Sequence, residues 1–294
     1  MKSLIKSCTK WLSHILFLLP RELVRKMGAL IGFLWIDVLR FRHEVMMTNL
    51  QIAFPDWSEE KKHQVARESV YSMGRGFFEF FLIPHMSEAW LEKYVVFEGF
   101  EHYQAALLKK KGVLLVSLHL GNGDLAASAV SLKGYPLSII TKIFKNKFFN
   151  DLWFSFRGGQ GVRHIDAHGP STAFDILKAL KRNEGVIFVI DQFMGRPFGI
   201  KTRFFGKETG SAYGLALFAI KSKSPVVPIY TYEGNDQKMH VVFEPEIETQ
   251  DLVSDDRQAS ILAMTQRFND KIERIIRMHP EQWLWVHRRW KEFE

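Results

Sequence analysis

The residues of this chain best suited to acid–base chemistry are a histidine and an aspartate that follow a short apolar segment. Residues 112–118 form a continuous apolar run, typical of a buried strand in a largely parallel sheet. His119 comes directly after this run, and Asp124 follows where a helix is predicted to begin. A carboxylate bonded to one imidazole nitrogen leaves the other free to take a proton, so the pair could activate a substrate hydroxyl. The spacing fits equally well a structural role, with Asp124 capping the helix beside a hydrogen-bonded His119.

The segments that must position this pair alternate between strand-like and helical patterns. Strands are predicted at 112–118, 136–141, 186–191, 225–232 and 240–247, and helices near 123–130 and at 148–157, 171–181, 210–221 and 259–278. This alternation predicts an α/β fold with a mixed, largely parallel central sheet flanked by helices. His119 would then lie at the carboxyl end of a strand, where such sheets bind ligands.

The region before the sheet is predicted to be helical. One helix should begin at residues 56–58, and a second, aromatic helix should cover 71–81 and end before Pro84. Its four phenylalanines at 77, 78, 80 and 81 cover more than one face, so the helix packs either in the core or against lipid. We expect the core. The predicted organisation is an N-terminal segment 1–42 and a main domain 43–294, with a helical lead-in 43–97 and an α/β core 98–294.

The N-terminal segment combines apolar runs with basic residues. The runs at 11–19 and 27–39 are each too short to cross a hydrocarbon core of roughly 30 Å at about 1.5 Å per residue. Eight basic residues but only Glu22 and Asp37 fall within residues 1–42. This pattern predicts membrane-associated helices that lie in the interface. A tilted single span across both runs and ordinary helices packed on the domain are the alternatives.

Composition narrows the possible partners. The chain has 294 residues, a formal net charge of +8, 47% hydrophobic and 14% aromatic residues. Such a chain has enough apolar surface to fold. Because it has a single cysteine, Cys8, it can form neither an internal disulfide nor a zinc site with several cysteine ligands. Positive charge together with many aromatic residues is compatible with nucleic acid or an anionic lipid surface.

Three further clusters have more than one interpretation. His164 and His168 could be drawn as part of a metal site, but loop polar groups or substrate contacts are favoured, and we expect no metal. Phe205 and Gly206, beside Arg203, could form an acyl- or phosphate-binding loop. The aromatic and basic residues at 283–290 could stack on nucleic-acid bases, contact phospholipid or form a docked C-terminal tail.

Several motifs, in order, resemble the bacterial lipid A biosynthesis acyltransferase family, within the glycerolipid acyltransferase superfamily. The His-x-x-x-x-Asp spacing from His119 to Asp124 resembles that superfamily's motif, and the flanking residues narrow it. The other matching blocks are 42–55, 146–150 with Arg157 and Gly161, Asp191 and Gln192 with 204–206, 225–228, and the closing segment 279–291. The resemblance therefore covers nearly the whole chain.

The resemblance implies transfer of a fatty acyl chain from acyl carrier protein or coenzyme A to a hydroxyl of a glycolipid, at the cytoplasmic face of a bacterial inner membrane. His119 would be the general base, oriented by Asp124, and no cofactor or nucleic acid is expected. The substrate-binding residues implied by the motifs and their neighbours are Asn122, Arg157, Asp191, Gln192, Arg203, Phe205 and Gly206. Arg157 would bind a phosphate or stabilise the oxyanion through its fork of donors.

One departure from the family affects the expected acceptor. Many members have Trp-Glu where this chain has Gly123 and Asp124, so the acceptor could be a lipid A precursor or a related glycolipid. A lysophospholipid or aminolipid acceptor is a further alternative. Hydrolysis of a thioester or lipid by the same pair, and a silent membrane-binding protein of the same fold, remain open.

Overall fold

The computed structural model describes residues 2–157 and 160–294, with side chains placed from Lys10 onward. The Cys8 side chain thus lies outside the described residues. The helices are α1 Lys2–Leu18, α2 Arg21–Phe33, α3 His43–Ala53, α4 Glu59–Phe80, α5 Glu88–Tyr94, α6 Phe100–Leu108, α7 Gly123–Leu132, α8 Lys147–Arg157, α9 Thr172–Lys181, α10 Gly214–Ser222 and α11 Arg257–Met278. The strands are β1 Val95–Glu98, β2 Val113–Ser117, β3 Leu137–Thr141, β4 Arg163–Asp166, β5 Gly185–Val189, β6 Gly199–Phe204, β7 Lys207–Ala212, β8 Val226–Glu233 and β9 Met239–Phe243.

Seven strands form one twisted sheet in the order β1-β9-β8-β2-β5-β3-β4. Strands β8, β2, β5, β3 and β4 are mutually parallel, and β9 joins β8 in antiparallel orientation and β1 in parallel orientation. β6 and β7 form a separate antiparallel hairpin. The predicted α/β class and the largely parallel sheet are therefore confirmed.

The central strand β2 is covered on both sides, which explains its uninterrupted apolar sequence. Leu114 and Val116 join the core cluster that contains α9, α10 and α11. Val113 and Leu115 point to the opposite face and join the cluster that contains α6 and α7. Because parallel strands are buried on both faces, each strand side chain here finds an apolar partner.

Some elements differ from the sequence prediction. α4 is one continuous helix of 22 residues, capped by the Ser58 hydroxyl, rather than two separate helices. The edge strand β4 and the hairpin β6–β7 were not predicted, because these segments mix polar and apolar residues instead of forming an apolar run. The short edge strand β1 was not predicted either, because its first three residues fell within the lead-in expected to be helical. Residues 210–213, expected to start a helix, end the hairpin instead.

Helix α2 lies directly against α4 through glycines. A Cβ atom built on Gly74 would lie 2.2 Å from the Gly28 carbonyl oxygen, and one on Gly32 would lie 2.7 Å from the Tyr71 Cα. The two backbones therefore touch, and no larger residue fits without moving them apart. This contact explains why α4 tolerates Gly74 in its interior despite the poor helix propensity of glycine.

Two of the N-terminal basic residues are used inside the protein. Arg21 binds Glu79 at 2.6 Å, and Arg25 binds Glu233. The concentration of positive charge in residues 1–42 is thus only partly available to an external surface. Among the described helices, none is both long enough and apolar enough to cross a membrane.

We expect Gly74→Ala to destabilise the protein by about 1–3 kcal/mol, because the new methyl group overlaps the α2 backbone. Gly214→Ala is the matched control: it adds the same methyl group to a helix where nothing lies within 4 Å. That control should leave stability unchanged or raise it by up to about 1 kcal/mol. Urea unfolding followed by circular dichroism measures both. Equal stability of the two variants would contradict the close approach of α2 and α4.

Candidate active site

Two neighbouring strands bring a histidine and an aspartate side by side. β2 and β5 are hydrogen-bonded neighbours, and their register pairs Ser117 with Val189. His119 and Asp191 each come two residues after those paired positions. The two side chains therefore emerge together at the carboxyl edge of the sheet, where open α/β sheets bind ligands.

The Asp191 carboxylate holds His119 through two hydrogen bonds. The ring Nδ1 lies 2.8 Å from Asp191 Oδ1, and the His119 backbone N–H donates to Oδ2 at 3.0 Å. The Trp283 indole N–H donates to the same Oδ2 at 2.7 Å. Since a carboxylate accepts here, Nδ1 carries the proton and Nε2 is left to accept one.

The structure corrects the expected role of Asp124. Within the described residues no hydrogen bond joins Asp124 to His119. Instead, the Arg157 Nε donates to Asp124 Oδ1 at 2.6 Å, and Arg157 Nη1 donates to Thr141 Oγ1 at 3.1 Å. The physical reason is that Asp124 starts α7 on the side that faces the end of β3, whereas Asp191 follows the strand adjacent to β2. Asp191, expected among the substrate-binding residues, thus takes the place expected for Asp124.

The environment sets the charge states of this pair. Burial lowers the pKa of His119, but the adjacent Asp191 carboxylate outweighs it and raises the pKa above its ordinary value. Burial raises the pKa of Asp191, but the charge of His119 and the hydrogen bonds from His119 and Trp283 lower it overall. Asp191 is 1% exposed and His119 is 43% exposed. A buried carboxylate therefore remains ionised behind an accessible imidazole.

Asn122 and Gln192 lie next to this pair with different partners. The Asn122 Oδ1 accepts from Leu125 N–H and caps α7, while its Nδ2 donates to the Gly76 carbonyl. Its amide thus holds the loop between β2 and α7. The Gln192 Nε2 lies 3.4 Å from both ring nitrogens of His119.

The expected loop residues Arg203, Phe205 and Gly206 lie elsewhere. They belong to the β6–β7 hairpin, which packs on α11: the Arg203 backbone N–H donates to Gln266 Oε1, and the Phe205 N–H donates to Glu273 Oε1. None of the three lines the cavity next to His119. Their role as part of the same substrate site is therefore corrected, because the hairpin turns this segment toward α11.

A cavity of about 260 Å³ adjoins His119, between the sheet and helices α4, α7 and α8. Its polar mouth contains His119, Asn122, Asp124 and Arg157, and its apolar wall is formed by Phe77, Phe80, Ala126, Ala127, Ile139, Trp153, Ile187, Val189 and Ile229. Phe80 stacks on Trp153 with their ring centroids 4.3 Å apart. The cavity thus combines these polar groups, together called its mouth below, with a wall suited to an apolar chain.

The C-terminal segment is a docked tail that completes the site. Trp283, Trp285 and Arg289 are fully buried. Asn49 Nδ2 donates to the Trp285 and His287 carbonyls, and Arg289 donates to Gly210 O and Ser211 Oγ. Burial lowers the Arg289 pKa to about 10. Buried indoles cannot stack on nucleic-acid bases, so the tail alternative is the one observed.

Trp283 is the site residue that the sequence analysis missed. The closing motif 279–291 was noted, but nothing in its spacing connects an indole to a carboxylate 92 residues earlier.

The His164–His168 segment forms β4 and the turn after it. Within residues 2–157 and 160–294, no group of three or more potential ligands is placed to hold a metal ion.

Comparison with known proteins identifies the family of this chain. The profile of the bacterial lipid A biosynthesis acyltransferases matches residues 4–292. The chain belongs to this family. It is therefore an acyltransferase that acts on a lipid acceptor. The chain is 26% identical over 277 residues to a lipid A biosynthesis acyltransferase of Haemophilus influenzae, covering 94% of this chain and 82% of that protein.

Two further relatives differ in the names of their activities. The lipid A biosynthesis palmitoleoyltransferase of Escherichia coli is 25% identical, over 93% of this chain and 86% of its own. A phosphatidylinositol mannoside acyltransferase of Mycobacterium tuberculosis is 25% identical, over 76% of this chain and 69% of its own.

Among solved structures, the 1-acyl-sn-glycerophosphate acyltransferase of Thermotoga maritima aligns with 86% of this chain and 98% of its own, at 14% identity and a TM-score of 0.35.

Asp191→Asn should shift the acidic limb of the pH–rate profile to lower pH. Proton removal needs neutral His119, so the rate rises with pH through the His119 pKa, and loss of the Asp191 charge lowers that pKa. The maximal rate should also fall, by up to about 10⁴-fold, because the correct tautomer is no longer enforced. Profiles of kcat/KM against pH measure both effects.

Asp124→Asn is the matched comparison for this prediction. It removes the same charge but no hydrogen bond to the ring, so the acidic limb should move less than in Asp191→Asn. Thermal melts establish that both variants are folded. A larger shift in Asp124→Asn would contradict the assignment of Asp191 as the partner of His119.

Proposed function

We propose that the protein transfers a fatty acyl chain from an acyl thioester to a hydroxyl of a lipid A precursor or related glycolipid, with His119 as general base. The observation that carries this proposal is the position of a tautomer-fixed His119 at the polar mouth of an apolar pocket. The pocket is suited to the acyl chain, and the mouth is where the two reacting groups would meet. Family membership supports the acyl-transfer chemistry.

The reaction follows from the proton positions. With Nδ1–H held by Asp191, His119 Nε2 accepts the proton of the acceptor hydroxyl as that oxygen attacks the thioester carbonyl. The tetrahedral intermediate then collapses, the C–S bond breaks, and the imidazolium returns its proton to the thiolate. The products are a new ester and a free thiol. General-base assistance of this kind contributes about 10²–10⁴ in rate, and the adjacent Asp191 charge stabilises the imidazolium.

Arg157 is the proposed anion-binding group. Its guanidinium is held by Asp124 and Thr141, and it also lies near the rings of Trp153 and Phe154. A guanidinium fixed in this way keeps donors directed into the mouth of the pocket, where it could bind an acceptor phosphate or the oxyanion. Asp124 would then act as a positioning residue for Arg157 rather than for His119.

Membrane association is proposed from the exposed apolar residues of the N-terminal helices. Exposed side chains in this segment are Trp11, Leu12, Ile15, Phe17, Leu18, Leu23, Leu30, Ile31, Phe33, Leu34, Val38, Leu39 and Phe41. Phe77, which lines the cavity, is also 47% exposed. An extended apolar surface of this kind is typical of contact with a membrane. The proposed location is the cytoplasmic face of a bacterial inner membrane, where the acceptor lipid could enter the site.

The acceptor is proposed only as a glycolipid hydroxyl. The names of the relatives include lipid A and phosphatidylinositol mannoside, and Gly123 at the mouth has open space beside it. A head group other than that of lipid A could therefore be accommodated. Either acyl carrier protein or coenzyme A would satisfy the thioester chemistry.

His119→Ala should reduce acyl transfer by about 10²–10⁴-fold while the protein remains folded, because the general base is removed. Purified protein is incubated with an acyl thioester and a lipid extract, and mass spectrometry identifies the lipid that gains one acyl chain. His102→Ala, a histidine on α6 outside the cavity lining, is the control and should retain full activity.

The same assay without lipid separates transfer from hydrolysis. An acyltransferase requires the acceptor, so little free fatty acid should form when lipid is omitted. Equal release of fatty acid with and without lipid would indicate a hydrolase. Full turnover by folded His119→Ala would contradict the proposed mechanism.

A further inference from the structure

The structure contains a second large concave surface, which the catalytic site does not use. It is a groove of about 640 Å³ between the β6–β7 hairpin, the start of α10 and the start of α11. Pro197, Ile200 and Phe293 contribute apolar surface, and three basic residues, Arg196, Lys201 and Arg257, lie among them. No acidic side chain lines this groove.

Two of these basic groups are left without an acidic partner. Lys201 is bound to Glu208 at 2.6 Å, but within the described residues neither Arg196 nor Arg257 forms a salt bridge. Arg196 lies over the ring of Phe293, 5.4 Å from its centroid. Arg257 is the first residue of α11, where the helix dipole disfavours a cation. Among the described residues, two guanidinium groups beside this apolar groove thus have no salt-bridge partner, although Asp256 caps the helix that begins at Arg257.

A short segment, residues 191–196, connects the groove to the catalytic site. Arg196 lies five residues after Asp191, so the two Cα atoms are at most about 18 Å apart even if the chain is fully extended. Between them lies Phe193, and the Lys291 ammonium is 5.4 Å from the centroid of its ring. One further basic group therefore lies beside the segment that joins the groove to Asp191.

We infer that this groove, the Arg196–Arg257 groove, docks an acidic protein that carries the acyl thioester. The inference rests on the proposed use of a thioester donor. Complementary charge steers such encounters and fixes orientation, and the apolar floor accepts a protruding side chain. Docking within reach of Asp191 would place the thioester of the carrier at the mouth of the catalytic pocket.

A membrane fits the groove less well than a protein. The groove is concave, whereas a lipid surface is flat. Nine of the thirteen exposed apolar residues of the N-terminal segment belong to α1 and α2, and none of the thirteen lines the groove. The groove lies beside α10 and α11 instead.

The test is the double variant Arg196→Glu/Arg257→Glu, assayed with three donors that carry the same acyl chain. The donors are the acyl thioesters of acyl carrier protein, of coenzyme A and of pantetheine. The pantetheine thioester lacks a protein part and carries no net charge. We expect kcat/KM to fall about 10-fold or more with the carrier protein and to remain unchanged with pantetheine and coenzyme A. Fluorescence anisotropy of labelled carrier protein should show the same loss as weaker binding. A Glu at the start of α11 suits the helix dipole, and thermal melts check folding.

Lys111→Glu/Lys181→Glu is the matched control. It reverses two exposed charges that precede β2 and β5, outside the groove lining, and should change no donor's kcat/KM. The inference is overturned if the groove variant keeps full activity and affinity with the carrier protein, or if the protein does not use or bind that carrier. An equal loss of kcat/KM with coenzyme A would indicate that the groove binds a nucleotide. If the groove variant instead lost binding to anionic vesicles and its kcat/KM fell with every donor, the groove would be a membrane-binding surface. Absence of transfer by wild-type protein with every donor would instead reject the proposed function.

Discussion

The buried Asp191 carboxylate is the group on which the geometry of the site depends. An ionised carboxylate in a nearly dry position is stable only when its oxygens are hydrogen-bonded. Here the donors are the His119 ring, the His119 backbone and the Trp283 indole. The donors come from two parts of the chain, the end of β2 and the C-terminal tail, so the same bonds that keep the charge buried also fix the imidazole and anchor the tail.

Two distant parts of the chain support this group. The tail after α11 is held by Asn49 and by the hairpin through Arg289, so that Trp283 reaches the site from the C-terminus. At the other end, α2 packs against α4 through Gly28 and Gly74, and Asn122 ties the loop after β2 to the Gly76 carbonyl of α4. The termini are therefore structural components of the site rather than appendages to it.

The sequence predicted the α/β class, most helices of the core and the position of His119 at the carboxyl end of a strand, because these depend on local patterns. It did not predict which acid would contact the imidazole. Asp124 is near His119 in the chain, whereas Asp191 is near only because β2 and β5 are adjacent, a pairing across 72 residues. Likewise, Arg203 and Phe205 were assigned to the site by their composition, but an unpredicted hairpin turns them toward α11.

The most direct test of the central claim is ¹⁵N NMR of the His119 imidazole in the wild-type protein. If Asp191 fixes the ring, the neutral form carries its proton on Nδ1, and the pKa lies above the ordinary value of a histidine. A neutral ring protonated on Nε2, or a pKa below that ordinary value, would contradict the account.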